Sequence, residues 1–129
     1  IPIGLRSRFL LIGEISDVEK YYSAMDVFCL SSSSEAFPNV LGEAMACGLP
    51  CVTTDVGDAS YIVGETGIVV PPENPTALAA AVFEILDKTE YELAELKRTA
   101  RERIKENFSL TSVVKCYASL YEDIQIDSN

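Results

Sequence analysis

Histidine is absent from the 129 residues, and there are four cysteines, at positions 29, 47, 51 and 116. The lack of histidine excludes nucleophilic catalysis by a Ser-His or Cys-His pair, and a structural zinc site would need all four cysteines. Cys47 and Cys51 are four residues apart, a spacing typical of neither redox pairs nor zinc ligands. Because every cysteine has apolar neighbours, we expect reduced thiols in the core of a cytoplasmic protein.

Positive charge is also scarce, with 10 basic against 20 acidic residues and a net charge of -10. Nucleic acids and anionic membranes bind basic surfaces, so neither is expected as a partner. Apolar runs such as residues 27–30 are far shorter than the ~20 residues of a membrane-spanning helix. We therefore expect no membrane span in this segment. The sequence also has no Asp-x-Asp motif of the kind that holds a metal ion.

Short apolar runs alternate with amphipathic stretches along the chain. The pattern predicts strands over residues 9–13, 27–31, 51–54 and 67–70, and helices over 17–25, 38–47, 74–87, 90–105 and from 110 onward. Strands without polar alternation, separated by helices, are typical of a parallel sheet covered on both faces. The sequence thus predicts an α/β fold of the Rossmann-like, three-layer α/β/α type.

Two carboxylates lie eight residues apart where the second strand leads into a helix: Glu35 in the loop and Glu43 in the second helical turn. Amides of the first turn, at Phe37, Asn39 and Val40, form a natural cradle for an anion such as a diphosphate. Glu43 could then accept hydrogen bonds from both hydroxyls of a ribose. The alternative is structural, since a glutamate near a helix start commonly acts as a cap or dipole partner.

No lysine or arginine occurs from Tyr21 to Asp87, although nine acidic residues do. A diphosphate beside two glutamates calls for cations. Either backbone amides alone hold the anion, or lysine and arginine partners come from another part of the protein. We favour the second interpretation.

The segment from Ser31 to Val52, SSSSEAFPNVLGEAMACGLPCV, resembles the nucleotide-sugar-binding signature of group-1 glycosyltransferases, with Glu35 and Glu43 as its paired glutamates. The flanking AMDVF, TDVGD, TGIVVPP and NFSL segments are similar to the same family. These enzymes are retaining and have two facing Rossmann-like domains, the GT-B fold. The resemblance covers about nine-tenths of the chain and implies the C-terminal, donor-binding domain.

By resemblance, Glu35 is the catalytic glutamate, which contacts hydroxyls of the donor sugar, and Glu43 binds the nucleotide ribose. The segment between them is implied to hold the donor sugar and diphosphate, through Ala36, Phe37, Asn39, Val40 and Leu41. The donor is a nucleoside diphosphate sugar, the acceptor a saccharide or a lipid-linked molecule, and no cofactor or metal is expected. Protein groups mainly position the reactants and stabilise developing charge.

The resemblance also implies that the chain is one partial domain. The acceptor domain, the opening strand with its glycine loop, and the Arg/Lys pair for the diphosphate would lie upstream. We therefore expect this segment to be inactive alone. The full-length enzyme is expected to be cytoplasmic, with peripheral attachment at the inner membrane face as an open alternative. Polysaccharide assembly is the expected pathway.

Some features depart from the family pattern or leave alternatives open. Ala36 replaces a usual glycine and would be strained in a turn with positive φ. Tyr61 stands where many members have glutamate. The last helix either crosses to the acceptor domain, exposing Tyr117, Tyr121 or Ile124, or packs on its own sheet. A nucleotide-sugar epimerase of the same fold and a non-catalytic nucleotide- or anion-binding module are the alternative functions.

Overall fold

The computed structural model describes residues 3–126, apart from the side chains of residues 3, 6, 125 and 126. The chain starts with a 3-10 helix, Ile3–Arg8. The strands are β1 (Phe28–Leu30), β2 (Cys51–Thr54) and β3 (Ile68–Val70). The helices are α1 (Val18–Ala24), α2 (Asn39–Ala46), α3 (Ala59–Val63), α4 (Pro75–Leu86), α5 (Glu90–Asn107) and α6 (Leu110–Ile126).

The three strands form a parallel sheet in the order β1-β2-β3. In its register Leu30 pairs with Thr53, and Thr53 pairs with Val69. The central strand β2 is buried along its whole length, as expected of a parallel strand between two helical layers. The predicted α/β architecture with a parallel sheet is confirmed.

Helices cover the two faces of the sheet unequally. On one face a core forms between the strands and helices α1, α2, α3 and α5, with Leu41, Met45 and Ile62 almost fully buried. On the other face α4 packs on β2 and β3, where Ala81 and Ile85 are buried against Val52. Alternate strand residues point to opposite faces, so β2 contributes Cys51 to the first core and Val52 to the second.

The strand predicted over residues 9–13 is wrong. These residues have no regular secondary structure, and Leu10 and Leu11 are each 83% exposed. An apolar run becomes a strand only where its backbone groups find partners and its side chains find a cover. Within residues 3–126, β1 pairs with β2 alone, and no element shields this run.

The expectation of four buried cysteines is also wrong, because only Cys51 is buried while Cys29, Cys47 and Cys116 are exposed. Cys29 pairs with Val52 in the sheet, but α4 lies over β2 and β3 and leaves this side of β1 open. Similarly, the apolar residue Leu86 near the end of α4 is 52% exposed. Local apolar neighbours therefore do not ensure burial at the edge of a layer.

The last helix, α6, lies beside α5 and presents an apolar stripe to the surface. Tyr117 is 59% exposed and Tyr121 65% exposed, so packing of α6 on the sheet of this domain is not observed. Among the helices of residues 3–126, none combines the length and the apolar character that crossing a bilayer requires.

Candidate functional site

The candidate site lies at the carboxyl end of β1, where residues 31–37 form a loop that leads into α2. In open parallel sheets ligands bind beyond the carboxyl ends of the strands, so this loop lies where a ligand is expected. Pro38 is the N-cap of α2 and is buried. The loop residues around it are exposed or half-buried, so their backbone is accessible from solvent.

The first turn of α2 has amides that no side chain of the described residues caps. The Leu41 amide donates to the Pro38 carbonyl at 3.0 Å, and the Leu41 side chain is fully buried. Asn39 and Val40 are exposed and precede it. Of the predicted contact residues, Asn39 and Val40 therefore offer amides at the open mouth of the helix, while Leu41 contributes mainly to the core.

Glu43 lies one turn further along α2, and its side chain is exposed to solvent. The Tyr22 hydroxyl of α1 donates a hydrogen bond to Glu43 Oε2 at 3.4 Å. The ion pairs of residues 3–126 do not include Glu43, so its charge is not neutralised within the described part of the chain. The carboxylate therefore remains available to a ligand.

Glu35 lies in the loop, half-buried and held by a neighbouring side chain. The Ser32 hydroxyl donates to Glu35 Oε1 at 2.7 Å. The Ser32 carbonyl in turn accepts a hydrogen bond from Thr54 Oγ1 at 2.6 Å. The Glu35 carboxylate is thus connected through Ser32 to the end of the central strand.

Ala36 is fixed by the turn that follows β2. The Asp58 amide donates to the Ala36 carbonyl at 2.9 Å, and Gly57 lies directly against the backbone of Glu35 and Ala36. The strain considered for Ala36 does not arise, because Ala36 does not have a positive φ; among the non-glycine residues of the described chain, Glu73 does. A methyl group is therefore compatible with this loop.

A groove of about 390 Å³ borders the exposed face of α2. The groove is lined by residues of α2 and by residues of α3, α5 and α6: Asn39, Gly42, Glu43, Ala46, Ile62, Ile104 and Val113. Phe37 and Phe108 also line it, with their rings 6.2 Å apart. Tyr61 packs edge-on against Phe108 at 5.6 Å, so it belongs to an aromatic cluster beside the site.

The ion pairs of the described residues lie on α1 and α5, away from the loop. Arg103 approaches the groove side of the domain but donates to the carbonyls of Tyr61 and Ile62. Its charge therefore stabilises the end of α3. The negative character predicted for the segment from Tyr21 to Asp87 thus persists around the site.

Sequence reasoning placed Glu35, Glu43 and the helix mouth at one sheet end but missed the residues that hold them. Ser32 bonds to Glu35 three residues away within the same loop, whereas the contact of Tyr22 with Glu43, 21 residues away, is revealed only by tertiary packing. The Thr54-Asp-Val-Gly57 segment after β2 was the available signal, since a glycine turn at the same sheet end approaches the loop.

The chain combines a parallel, Rossmann-like α/β sheet with an uncapped helix start and two glutamates at the carboxyl end of the strands, which is where open sheets of this class bind their ligands. The profile of the family described as "Glycosyl transferases group 1" matches residues 1–88. The chain therefore belongs to the group 1 glycosyltransferases.

Similarity to individual proteins extends over nearly the whole chain. It is 31% identical to N-acetyl-alpha-D-glucosaminyl L-malate synthase of Bacillus anthracis, over 97% of this chain and 33% of that protein. It is 31% identical to the lipopolysaccharide core biosynthesis mannosyltransferase LpsB of Rhizobium meliloti, over 94% of this chain and 35% of that protein. Sucrose-phosphate synthase from Thermosynechococcus elongatus superposes with a TM-score of 0.81 at 32% identity, covering 96% of this chain and 32% of that one. The chain thus spans about a third of the length of the relatives it matches.

Proposed function

We propose that this chain is the donor-binding part of a retaining glycosyltransferase that transfers a sugar from a nucleoside diphosphate sugar to a saccharide or lipid-linked acceptor. The observation that supports this most directly is the uncapped start of α2, with the exposed Glu43 carboxylate one turn further along the same helix. This arrangement suits an anion followed by a diol, which is the order of groups in a nucleotide.

Each part of the site takes one part of the donor. The amides of Asn39 and Val40 face the diphosphate, and Glu43 accepts hydrogen bonds from the ribose hydroxyls. Glu35, oriented by Ser32, contacts hydroxyls of the transferred sugar, and the backbone from Ala36 to Phe37 borders that sugar. The names of the relatives include a glucosaminyl malate synthase and a mannosyltransferase, so the family accommodates different donor sugars and acceptors.

The chemistry is positional and electrostatic. The bond from the sugar to the diphosphate breaks, and the acceptor oxygen forms a bond on the same face, with retention of configuration. As the resemblance to the family implies, the leaving phosphate accepts the acceptor proton, and the lack of histidine in this segment agrees with that role. Helix-mouth amides stabilise the charge that develops on the diphosphate, without a metal ion or another cofactor.

The remaining parts of the proposal concern the whole enzyme. The acceptor domain and the start of the donor domain would precede this segment, and the segment alone would be inactive. The enzyme would act in polysaccharide assembly in the cytoplasm, either free or peripherally attached at the inner membrane face. Nucleic acid is not a proposed partner, because the net charge of this segment is -10.

Glutamate variants of the full-length protein test the site. Glu43→Ala should weaken donor binding about 10- to 100-fold, because charge-assisted hydrogen bonds of about 1.5–3 kcal/mol are lost. Glu35→Ala should mainly lower kcat, because it contacts the reacting sugar. Calorimetric titration with nucleoside diphosphates and steady-state kinetics separate the two effects.

Glu84→Ala is the matched control, since Glu84 is an exposed acid on α4, on the opposite side of the sheet. It should leave binding and turnover unchanged. Wild-type binding and kinetics in both Glu35→Ala and Glu43→Ala would contradict the assignment of the site.

The reaction itself can be tested with the full-length enzyme. Retention predicts a product with the anomeric configuration of the donor, measured by proton NMR couplings, and an inverted product would contradict it. Activity should survive EDTA, and loss that a divalent metal restores would contradict metal-independent transfer. Epimerised UDP-GlcNAc in the absence of any acceptor would instead indicate an epimerase. Nucleotide binding without either product would indicate a binding module.

A further inference from the structure

A side-chain contact between α1 and α2 reaches the proposed ribose-binding carboxylate. The Tyr22 hydroxyl lies 3.4 Å from Glu43 Oε2, at the long end of hydrogen-bond distances. Within the described part of the chain, the Glu43 side chain makes no other hydrogen bond. The glutamate therefore has one fixed partner, and its remaining acceptor positions face solvent.

The position of the Tyr22 ring is set by packing. The residue is 5% exposed and belongs to the core formed with α2 and the sheet. Its ring meets that of Phe28 edge-on, with centroids 5.6 Å apart and an interplanar angle of 89°. Because the ring is held by strand β1, its hydroxyl is delivered to a constant place beside α2. A buried hydroxyl requires a hydrogen-bond partner, and Glu43 provides it.

The environment also keeps the proton on Tyr22. Burial, and then the negative charge of Glu43, raise the pKa of this phenol above its ordinary value. A phenol is protonated at neutral pH even at its ordinary pKa, and the raised pKa of Tyr22 extends its role as a donor to higher pH. The pairing of a fixed donor with an exposed carboxylate differs from an ordinary core tyrosine, whose hydroxyl is usually satisfied by backbone or water.

We infer that Tyr22 is a positioning residue, which orients the Glu43 carboxylate toward the ribose hydroxyls of the donor. This inference rests on the proposed function of Glu43. A glutamate on a helix surface samples several rotamers, and a hydrogen bond to one oxygen restricts them before the nucleotide arrives. The second oxygen is then presented to the diol in a constant direction.

The test is Tyr22→Phe in the full-length enzyme, which keeps the ring and removes the hydroxyl. The dissociation constant of the bound nucleoside diphosphate should rise about three- to tenfold, the range for loss of one intramolecular hydrogen bond, and kcat should change little. Tyr21→Phe is the matched control, because Tyr21 is the neighbouring tyrosine on α1 and is 39% exposed. It should bind nucleotide like the wild type.

Two further measurements distinguish positioning from a general structural effect. In a Glu43→Ala background, which removes the acceptor, Tyr22→Phe should change the dissociation constant less than about twofold, because the two substitutions act through one contact. A 2′,3′-dideoxynucleoside diphosphate should bind equally to the wild type and Tyr22→Phe, since it lacks the hydroxyls that Glu43 contacts.

Additive effects in the double variant, or wild-type affinity of Tyr22→Phe, would overturn the positioning role. That result differs from failure of the proposed function. If Glu43→Ala binds nucleotide like the wild type, Glu43 itself is not a ribose ligand. If Glu43→Ala weakens binding but Tyr22→Phe does not, only the inference about Tyr22 fails.

Discussion

At the residue scale, Gly57 is where the turn after β2 meets the site loop. Its φ is +50°, and a side chain there would collide with the carbonyls of Glu35 and Ala36. We expect Gly57→Ala to destabilise the protein by about 2 kcal/mol, through left-handed strain and displacement of the loop. It should also lower turnover. Urea unfolding and kinetics of the full-length enzyme measure both.

Gly42 provides the comparison for that substitution. It lies inside α2, and a Cβ there would meet no atom of the described chain within 4 Å. Gly42→Ala should therefore stabilise the protein by about 0.5–1 kcal/mol, because alanine is the better helix former. If Gly57→Ala proved as stable as Gly42→Ala, the close approach of the turn to the loop would be wrong.

Glu73 has a φ of +58°, a left-handed conformation that favours glycine. We expect Glu73→Gly to stabilise the protein by about 1 kcal/mol, because relief of strain exceeds the added freedom of the unfolded chain. Glu65→Gly, at another exposed turn position without positive φ, should be neutral or destabilising. Thermal unfolding of both variants checks this, and a loss of stability in Glu73→Gly would contradict it.

The cysteines differ in reactivity because their burial differs. Burial raises the pKa of Cys51 to about 12, so its thiol stays protonated and the nucleophilic thiolate is scarce. Cys47 and Cys116 are exposed. At about pH 8, iodoacetamide should alkylate Cys47 and Cys116 well before Cys51. Peptide mass spectrometry over time measures the order, and early modification of Cys51 would contradict its burial.

The site residues themselves could be found from sequence, but their supports could not. Glu35 and Glu43 follow from a local motif, since both lie in one strand-loop-helix segment. The contact of Tyr22 with Glu43 depends on how α1 packs against α2, which the spacing of apolar residues does not specify. The apolar side of α1 could be predicted from the spacing of its residues, but the partner of the Tyr22 hydroxyl on that side could not.

At the element scale, α5 begins with a capping box formed by Thr89 and Glu92. Thr89 Oγ1 accepts from the Glu92 amide at 3.3 Å, and the Glu92 carboxylate accepts from the Thr89 amide at 2.9 Å. Thr89→Ala should cost about 1 kcal/mol of unfolding free energy in urea. Thr99→Ala, in the interior of the same helix, should change stability by less than about 0.5 kcal/mol.

The cap also makes a prediction about pH. Hydrogen bonds from the Thr89 side chain and amide lower the pKa of the exposed Glu92 carboxyl below its usual range. A lowered carboxyl pKa stabilises the folded state above the unfolded pKa, and the contribution is lost as pH falls through the folded pKa. The stability difference between the wild type and Thr89→Ala should therefore narrow in acid. If the stability difference between the wild type and Thr89→Ala did not change with pH, the Glu92 carboxylate would not contribute to the cap.

The strand prediction failed at residues 9–13, and the helix prediction missed the short helix α3. β2 and β3 lie within one or two residues of their predicted positions. Both strands pair within the sheet and have helices α3 and α4 packed against them. Residues 9–13 have the same apolar composition but neither pairing nor cover within the described chain. The apolar composition of a segment shows that it can form a buried strand, but whether it does so depends on neighbouring elements that pair with it and cover it.

At the scale of the whole molecule, charge distribution limits what this segment does alone. Its 129 residues have a net charge of -10, and no cation occurs from Tyr21 to Asp87. If the segment folds, as judged by circular dichroism, we expect it to bind nucleoside diphosphate at least tenfold more weakly than the full-length protein, because the proposed site relies on cations supplied from outside it. Equal affinities in calorimetry would show that helix amides alone suffice.

The fold class and family were predictable because the motif, the strand-helix alternation and the lack of histidine are properties of sequence. The unequal cover of the sheet and the exposure of α6 were not. Tyr117 and Tyr121 have the spacing of an ordinary core-facing stripe, and only the position of α6 relative to the sheet shows that this stripe lies at the surface.

The hydrogen bond from Thr54 Oγ1 to the Ser32 carbonyl connects the two chain segments just beyond Leu30 and Thr53, the last residues paired between β1 and β2. A second hydrogen bond, from the Asp58 amide to the Ala36 carbonyl, holds the loop further along. Only residues 33–35 lie between these two points of attachment. In the proposed site, adaptation to a larger or smaller sugar is therefore expected mainly from residues 33–35, because Ser32 and Ala36 at either end are held by these hydrogen bonds.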